Sequence, residues 1–443
     1  MMNPQRILMT SQYSNSRTDQ LDTFQLSETL ADDKFSESAK MPETVAEEKQ
    51  NEGPAEAPKE WRNIVLSGFG GLKMVKVQKK PEPKPGEGEV LIRVKACGLN
   101  FVDLMVRQGV LEQHPPKTPL TIGFECSGDV EAVGENTEGI AVNDRVIAFT
   151  DYGAWSEVVT VPAKFVYKMP SNMSYHDGAA LPMNYLTAYI MLFDIGNLQK
   201  GMSVFSHNIG GGVGHAIGQL CKTVEDVTLY GTASAHKHEA VKGNVTNVFN
   251  RTSDYCQEVR KLSPAGVDIV LDCLCGEDTN KGISLLRPMG KYILYGSSNI
   301  VTGETKSFFS FAKSRTTWWQ VDKVSPIKCY DENKTISGFQ LRNLAFQQGQ
   351  DGYIRTVMNK LFQLYSLGKI QPVIDSTYAF EDVAEAMQKM HDRKNIGKLI
   401  LDPAQEPKPP KVQSAPSVEG ASPPEENKEK EENKDAVVNG DQQ

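Results

Sequence analysis

A glycine-rich loop between a strand pattern and a helical pattern is the feature that most limits the folds open to this chain. The apolar run Met202–Ser206 leads into His207-Asn208-Ile209-Gly210-Gly211-Gly212-Val213-Gly214, and a helical pattern follows from His215. Strand, loop, helix and next strand fit within about thirty residues, as in βαβ units that bind dinucleotides. Ile209 stands where that fingerprint usually has its first glycine, so the loop is a variant of it.

The glycines have distinct physical tasks in such a loop. Gly211 lets backbone amides approach a pyrophosphate, and Gly214 lets the helix pack close to the strand. The helix N-terminus favours the phosphate charge. We therefore predict that Gly210, Gly211, Gly212, Val213 and Gly214 bind the cofactor.

The end of the second strand of this unit indicates which dinucleotide binds. An acidic residue there would hold the ribose 2′-hydroxyl of NAD. The chain has no Asp or Glu between Tyr230 and His238, whereas Ser234 and Lys237 can serve a 2′-phosphate. We predict NADPH as the cofactor, with Thr232, Ser234 and Lys237 among its ligands.

Beyond residue 185, strand and helix patterns alternate, which predicts a doubly wound parallel sheet of the Rossmann type. The predicted strands are Ser203–Ser206, Thr228–Thr232, Val245–Phe249, Asp268–Leu271 and Tyr292–Tyr295, and the predicted helices are Val213–Val224, His236–Lys242, Asp254–Leu262 and Thr279–Leu286.

Closely spaced short strands precede that region and predict a partly open β-barrel over residues 62–165. Turn signals such as Lys84-Pro85-Gly86 separate them. A final strand, Lys398–Leu401, is expected to return to this barrel after two amphipathic helices, Tyr353–Leu367 and Phe380–Asp392. The other predicted barrel strands are Ile64–Leu66, Met74–Val77, Val90–Cys97 and Arg145–Phe149.

Charge and polarity separate two tails from this core. Residues 1–60 have a net charge of −6 and residues 403–443 a net charge of −4, so subtraction from −8 leaves +2 for the rest. The tails hold too few large apolar residues to offset ordering entropy, and we predict that they are disordered. A nearly neutral core does not indicate a nucleic-acid partner. Seven scattered cysteines without a secretory signal favour reduced thiols and a cytoplasmic location.

Several motifs together resemble the vesicle amine transport protein family, especially its homologue-like members, in the quinone oxidoreductase branch of the medium-chain dehydrogenase/reductase superfamily. The resemblance covers roughly residues 62–402. The motifs are Ala96-Cys97-Gly98-Leu99-Asn100-Phe101-x-Asp103, Arg107-Gln108-Gly109, Gly123-Phe124-Glu125-x-x-Gly128, Asn184-Tyr185-x-Thr187-Ala188-Tyr189, Gly210-x-x-Val213-Gly214, Gly231-Thr232-Ala233-Ser234, Asp272-Cys273-Leu274, Trp318-Trp319 and Asn395-Ile396-Gly397-Lys398.

This resemblance implies an α/β chain in which a GroES-like substrate domain and a Rossmann domain enclose NADPH in a cleft. The first domain is expected over 62–185, the Rossmann domain over 186–329 and the return to the GroES-like domain over 330–402, between tails 1–60 and 403–443. Many relatives pair through the edge of the Rossmann sheet, so a homodimer is expected. Some relatives are described as peripheral proteins of vesicles or mitochondria.

The resemblance also implies that catalysis needs no zinc. In the zinc-dependent relatives, ligands stand where this chain has Asn100, Phe124 and about Met183, and these residues are poor or unusable zinc ligands. We therefore predict no metal site.

Without zinc, hydrogen-bond donors must polarise the carbonyl of a hydride acceptor. Asn100, Tyr152 and Asn184 are the predicted catalytic residues, although each can instead be a polar residue that satisfies a turn. Thr187 matches a family position near the nicotinamide and the phosphates, and we predict that it binds the cofactor.

Two departures from the family affect the expected activity. Many reductase relatives have a substrate-facing tyrosine where this chain has Leu111, and a tyrosine beside the 2′-phosphate falls near Asn250. The site is then expected to offer only neutral donors to a developing enolate. We expect slow reduction of small hydrophobic quinones or enones.

A competing hypothesis is a membrane-associated, dinucleotide-binding scaffold or sensor with vestigial catalysis. The segment Lys306–Trp319 holds five aromatic residues and three cations within fourteen positions, which suits a lipid-headgroup surface. The same composition suits a substrate lid or a dimer contact, so the sequence leaves these alternatives open.

Overall fold

Three β-sheets organise the part of the chain that the computed structural model describes, residues 59–111, 116–301 and 324–409. In chain order the strands are β1 (Glu60–Leu66), β2 (Val75–Pro81), β3 (Glu89–Leu99), β4 (Leu120–Thr121), β5 (Glu125–Val133), β6 (Arg145–Phe149), β7 (Val158–Pro162), β8 (Val166–Lys168), β9 (Ser203–Ser206), β10 (Thr228–Ala233), β11 (Asn247–Asn250), β12 (Val267–Asp272), β13 (Leu286–Leu294), β14 (Thr335–Gly338), β15 (Ile374–Tyr378) and β16 (Lys398–Leu401).

The α-helices of these residues lie on and between the sheets. They are α1 (Phe101–Gln108), α2 (Tyr175–Ala180), α3 (Thr187–Tyr189), α4 (Gly212–Cys221), α5 (His238–Val241), α6 (Tyr255–Leu262), α7 (Glu277–Leu285), α8 (Pro326–Glu332), α9 (Asp351–Ser366) and α10 (Val383–His391).

Two of the sheets form the GroES-like domain. The larger has the order β15-β16-β3-β5-β6-β8, with β7 paired to β3, and the smaller has the order β2-β1-β4. Trp155 is fully buried between them, and its indole nitrogen donates to the carbonyl oxygen of Gly98 at 3.0 Å. The predicted partly open barrel is confirmed.

The third sheet is parallel throughout and has the order β11-β10-β9-β12-β13-β14. Its central strand β12 is buried along its whole length, which fits a strand covered by helices on both faces. From β9 the sheet continues through β10 and β11 on one side and through β12, β13 and β14 on the other. The strand order therefore reverses between β9 and β12, and ligands of such sheets bind beside this switch point. The predicted Rossmann sheet is confirmed.

The last strand returns to the first domain, as expected. β16 pairs antiparallel with β3, and Leu401 stands opposite Cys97. Because β3 leads directly into α1, the pairing of β16 with β3 brings the residues just before β16 to the start of α1. These residues therefore lie beside both domains.

Three of the predicted boundaries were wrong. β14 pairs with β13 in the parallel sheet, so the return to the GroES-like domain begins after residue 338 and not at 330. Strand β1 already begins at Glu60, and residues 403–409 pack on the barrel rather than belonging to a tail. Short β14 was missed because four residues give little periodicity. The remaining tail residues, and the segment Lys306–Trp319, lie outside the described residues.

The contacts of residues 403–409 lead to a stability prediction. Arg62 donates to the carbonyl oxygen of Pro403, and the Lys408 amide donates to Asp382 at 3.1 Å. A chain of residues 59–409 should therefore melt at about the temperature of the full chain. Ending it at residue 402 removes these bonds, at about 1–2 kcal/mol, and should lower Tm by about 2–4 °C.

Differential scanning calorimetry of the full chain and both truncations makes this comparison. A chain of residues 59–409 that no longer unfolded cooperatively would show that one of the tails contributes to the fold. That result would contradict the prediction that both tails are dispensable.

Candidate functional site

The glycine-rich loop joins β9 to α4, and the positions of Gly212 and Gly214 leave no room for a side chain. A Cβ atom at Gly214 would lie 2.3 Å from the carbonyl oxygen of Ile209, and one at Gly212 would lie 2.5 Å from Nδ2 of Asn184. The first contact is with backbone that cannot move aside, so the helix begins in direct contact with the loop. Amides at the start of a helix lack intrahelical acceptors and are available to an anion.

A cavity of about 360 Å³ lies between this loop and the GroES-like domain. Its apolar walls come mainly from α1 and from the residues after β14. Its lining includes Leu99, Asn100, Phe101, Val102, Met105, Leu111, Met183, Asn184, Thr187, Gly211, Gly212, Val213, Gly214, Lys237, Phe339, Leu341, Arg342, Arg393 and Lys398.

The structure brings most of the predicted site residues to this one cavity. Asn100, Asn184 and Thr187 are buried in its wall, which Gly211–Gly214 and Lys237 also line, and the Asn184 side chain lies against Gly212. A helix with π-type turns at Pro182–Leu186 and Ile190–Ile195 carries Asn184 and Thr187. Their contacts with substrate or cofactor stay predictions.

Tyr152 does not belong to the cavity lining among the described residues. Its ring lies 5.0 Å from the ring of Phe124, and the guanidinium carbon of Arg342 lies 5.0 Å from its centroid. Arg342 itself lines the cavity, with Nε 2.6 Å from Asp151. Tyr152 thus packs against a residue of the cavity wall, and its own backbone is left-handed, with φ of 74°.

Three further predicted cofactor residues lie behind the lining. The Thr232 carbonyl accepts the Ile209 amide at 3.0 Å, and Gly210 is covered by the side chain of Lys237. Ser234 is half-buried at the start of the short turn that carries Lys237. These residues shape the loop and the end of β10, and their roles as direct ligands stay predictions.

A buried ion pair that the sequence reading missed stands beside Asn100. Lys398 pairs with Glu125, and its Nζ also donates to Oδ1 of Asn100 at 2.6 Å. The side-chain amide of Asn100 donates in turn to Oε1 of Glu125 at 2.7 Å, and the backbone amide of Met183 donates to Oε2 of Glu125 at 2.8 Å. Both charged residues were within quoted motifs, but nothing in the sequence indicated that they meet.

This network does not fit a zinc ion. The positions of zinc ligands in the zinc-dependent relatives are Asn100, Phe124 and Met183, and Asn100 is already bonded to an ammonium group. A cation at that place repels a second one. The described residues also contain no group of three or more His, Cys, Asp or Glu side chains that could hold a metal.

Cations gather at the other end of the cavity. Burial lowers the pKa of Lys237 to about 8; Asp375 opposes this effect, and Arg393 and Arg251 add to it. The Lys237 ammonium donates to the carbonyl oxygen of Asn395 at 2.6 Å. The end of β10 therefore carries concentrated positive charge with little acid beside it, which suits a phosphate group.

The expectation that the site offers only neutral donors was wrong. Arg342, Arg393 and Lys398 all line the cavity, and the chain supplies them from its last hundred residues. Arg342 and Arg393 carry no motif that would mark them. Their place follows from the return of the chain to the barrel, which brings residues far apart in sequence to one cleft.

Two family models match the chain in agreement with this architecture. The model described as alcohol dehydrogenase GroES-like domain matches residues 86–171, and the one described as zinc-binding dehydrogenase matches residues 245–401. None of the helices in the described ranges has the length and apolar character that a membrane span requires.

Individual proteins resemble the chain over most of its length. A mouse protein named synaptic vesicle membrane protein VAT-1 homolog-like is 58% identical over 382 residues, which cover 84% of this chain and 91% of that protein. Quinone oxidoreductase of Pongo abelii is 29% identical over 347 residues, 77% of this chain and 97% of that protein. A mycobacterial protein solved in complex with NADPH has a TM-score of 0.66 and 26% identity, covering 77% of this chain and all of that one.

The fold, the cleft and the sequence identity to these relatives indicate the same family. The chain belongs to the vesicle amine transport protein family, as a homologue-like member, in the quinone oxidoreductase branch of the medium-chain dehydrogenase/reductase superfamily.

Proposed function

We propose that the chain reduces quinones or conjugated enones with NADPH and without zinc. The observation that carries this proposal is a single cavity lined by the Gly211–Gly214 loop, by Asn184 beside that loop and by Asn100 of the GroES-like domain. A dinucleotide on the loop would extend towards these amides. The similarity to a quinone oxidoreductase and to a protein solved with NADPH supports the same reaction class.

The residues present fit this cofactor. The amides of Gly212–Gly214 and the α4 N-terminus would hold the pyrophosphate, and Lys237 and Arg393 would hold the 2′-phosphate. When bound, NADPH supplies a hydride with its electron pair and is oxidised to NADP⁺, while the acceptor takes one proton from water.

The acceptor end of the cavity favours flat apolar molecules. Leu99, Phe101, Val102, Met105 and Leu111 form its wall on the side of α1. Apolar walls with a few polar groups orient such ligands, and Asn100 and Asn184 are the amides that can hold a carbonyl oxygen. Small polar alcohols would leave most of this wall uncovered.

Our first functional prediction concerns cofactor choice. NADPH should bind at least about tenfold more tightly than NADH, because a charge-assisted contact with Lys237 contributes on the order of 1.5–3 kcal/mol. Lys237→Met should remove the preference and leave NADH affinity unchanged. Since the 2′-phosphate favours the charged ammonium, the preference should fall as pH rises through about 8.

Cofactor fluorescence titrations between pH 6.5 and about 9.5 measure these affinities. Lys242→Met is the matched control, because Lys242 lies on the next turn with its side chain 75% exposed and paired to Glu239. Equal affinity of the parent protein for NADPH and NADH would contradict the assignment of Lys237.

The second functional prediction concerns turnover. NADPH oxidation by quinones or enones should be slow, with no oxidation of simple alcohols by NADP⁺, because Leu111 stands where many reductase relatives have a substrate-facing tyrosine. Leu111→Tyr adds a donor at the cavity wall and should raise kcat by up to about 10².

Leu111→Phe, which adds the ring without the hydroxyl, is the control and should not raise kcat. Absorbance assays of NADPH consumption over a panel of quinones and enones provide the measurement. Tight NADPH binding with no oxidation by any acceptor, in the parent and in Leu111→Tyr, would remove the enzyme proposal.

We further propose peripheral association with anionic membranes, as the alternative role of a dinucleotide-binding scaffold requires. The name of the mouse relative, synaptic vesicle membrane protein VAT-1 homolog-like, and the composition of Lys306–Trp319 favour membrane association. Each cation near an anionic surface contributes about 1 kcal/mol. Lys306→Ala, Lys313→Ala and Arg315→Ala together should therefore weaken binding to phosphatidylserine vesicles by about 10²-fold.

Vesicle co-sedimentation at low and high salt measures this effect, with phosphatidylcholine vesicles as the uncharged surface. The triple variant Lys242→Ala, Lys281→Ala and Lys328→Ala changes the same net charge elsewhere and should bind as the parent does. Equal sedimentation of the parent with both vesicle types would contradict membrane association.

A further inference from the structure

The acceptor end of the cavity contains a buried ammonium group next to a buried amide. The Lys398 side chain is 3% exposed and Glu125 is fully buried, yet Lys398 and Asn100 both line the cavity. A charge in such a place must be paired and hydrogen-bonded. Glu125 pairs with it, and Asn100 lies 2.6 Å from the ammonium nitrogen.

The hydrogen-bond inventory of this group leaves two donors for a ligand. An ammonium group has three N–H donors, and the structure shows two acceptors for Lys398, Asn100 and Glu125. The Asn100 amide has two N–H donors, of which one reaches Glu125 at 2.7 Å. One N–H of each residue therefore has no acceptor among the described residues, and both residues line the cavity.

We propose that Lys398 and Asn100 form a two-donor oxyanion hole, in which Glu125 acts as the positioning residue. The hole receives the carbonyl oxygen of the acceptor. This inference rests on the proposed reduction of quinones or enones and adds the group that stabilises its transition state.

The chemistry of that reduction requires such a hole. Hydride addition to the β-carbon of an enone forms a C–H bond and moves the C=C electron pair towards the carbonyl oxygen, which becomes an enolate. The enolate then takes a proton from water at the α-carbon. Donors aimed at the developing negative charge lower this barrier most in a site that excludes water.

Glu125 explains how the hole tolerates an uncharged acceptor. In the ground state the Glu125–Lys398 pair is neutral overall, so no anion is needed to fill the site. Glu125 also accepts hydrogen bonds from the Met183 backbone amide at 2.8 Å and from the Asn100 side-chain amide. The first bond holds the Glu125 carboxylate, and the carboxylate in turn orients the donors of Asn100 and Lys398. The pair is thereby arranged before the reaction, and no reorganisation is required when charge develops.

The competing role for Lys398 is to bind the cofactor pyrophosphate. Gly397, the preceding residue, donates its amide to the Gly210 carbonyl at 3.2 Å, so the glycine-rich loop is close. A pyrophosphate ligand would change NADPH affinity, whereas an oxyanion hole would change the affinity for an anion at the acceptor end. The two roles are therefore separable by measurement.

The test uses 4-nitrophenol, whose ionised form absorbs differently from its neutral form, as an enolate mimic in the NADPH complex of the full chain. The wild-type complex should lower the pKa of bound 4-nitrophenol by about one pH unit or more. This readout needs no turnover and no variant. An unchanged or raised pKa of the bound phenol, or no binding in the cavity, would overturn the proposal.

Variants assign the effect to Lys398. Lys398→Met should abolish the effect on the phenol and lower kcat by about 10²–10³, with the NADPH Kd within about twofold of the parent value. Because Lys398→Met leaves Glu125 buried and unpaired, the double variant Glu125→Gln/Lys398→Met keeps the site neutral and preserves the fold. Lys291→Met, which removes a lysine bonded to the Gly196 carbonyl at 2.9 Å, is the control.

The outcomes separate this inference from the proposed function. Loss of the phenol effect in the double variant, with parental Tm and NADPH affinity, supports the oxyanion hole even when no quinone is reduced. A double variant that keeps both the phenol effect and kcat overturns it. A loss of NADPH affinity above about tenfold with an unchanged phenol effect assigns Lys398 to the pyrophosphate instead and also overturns it.

Discussion

The buried ion pair between Glu125 and Lys398 is the interaction on which the arrangement of the cleft depends. It joins the start of β5 to the start of β16, and through Asn100 it also holds the entrance to α1. The residue before Lys398 bonds to the glycine-rich loop, and Asn395 accepts the Lys237 ammonium at 2.6 Å. One short segment of chain thus fixes the acceptor end and the phosphate end of the cavity relative to each other.

Such a pair contributes specificity more than stability. Desolvation of two charges cancels much of their attraction, whereas removal of one partner costs about 3–5 kcal/mol because the other stays buried and uncompensated. The pair therefore penalises any arrangement in which β16 fails to return to β3.

The sequence predicts those parts of the molecule that depend on local patterns. The Rossmann sheet follows from periodicity and from a loop in which Gly214 admits no side chain. The return of Lys398–Leu401 to the barrel was expected mainly from the family resemblance. Glu125 and Lys398 are 273 residues apart, and no local pattern tells that they meet. Tyr152 is a related case, since no local pattern tells that it packs against Arg342 and Phe124, outside the cavity lining of the described residues.

The distribution of charge along the cavity accounts for how one cleft can take two very different ligands. At the phosphate end, Lys237 bonds to a backbone carbonyl and Arg393 to Ser298, so neither bond neutralises the positive charge. At the acceptor end, Glu125 compensates Lys398 in the ground state. A multiply charged cofactor is thus attracted to one end, while an uncharged acceptor can enter the other at little electrostatic cost. Negative charge that develops on the acceptor then meets an ammonium group whose counter-charge, Glu125, is not among the described residues that line the cavity.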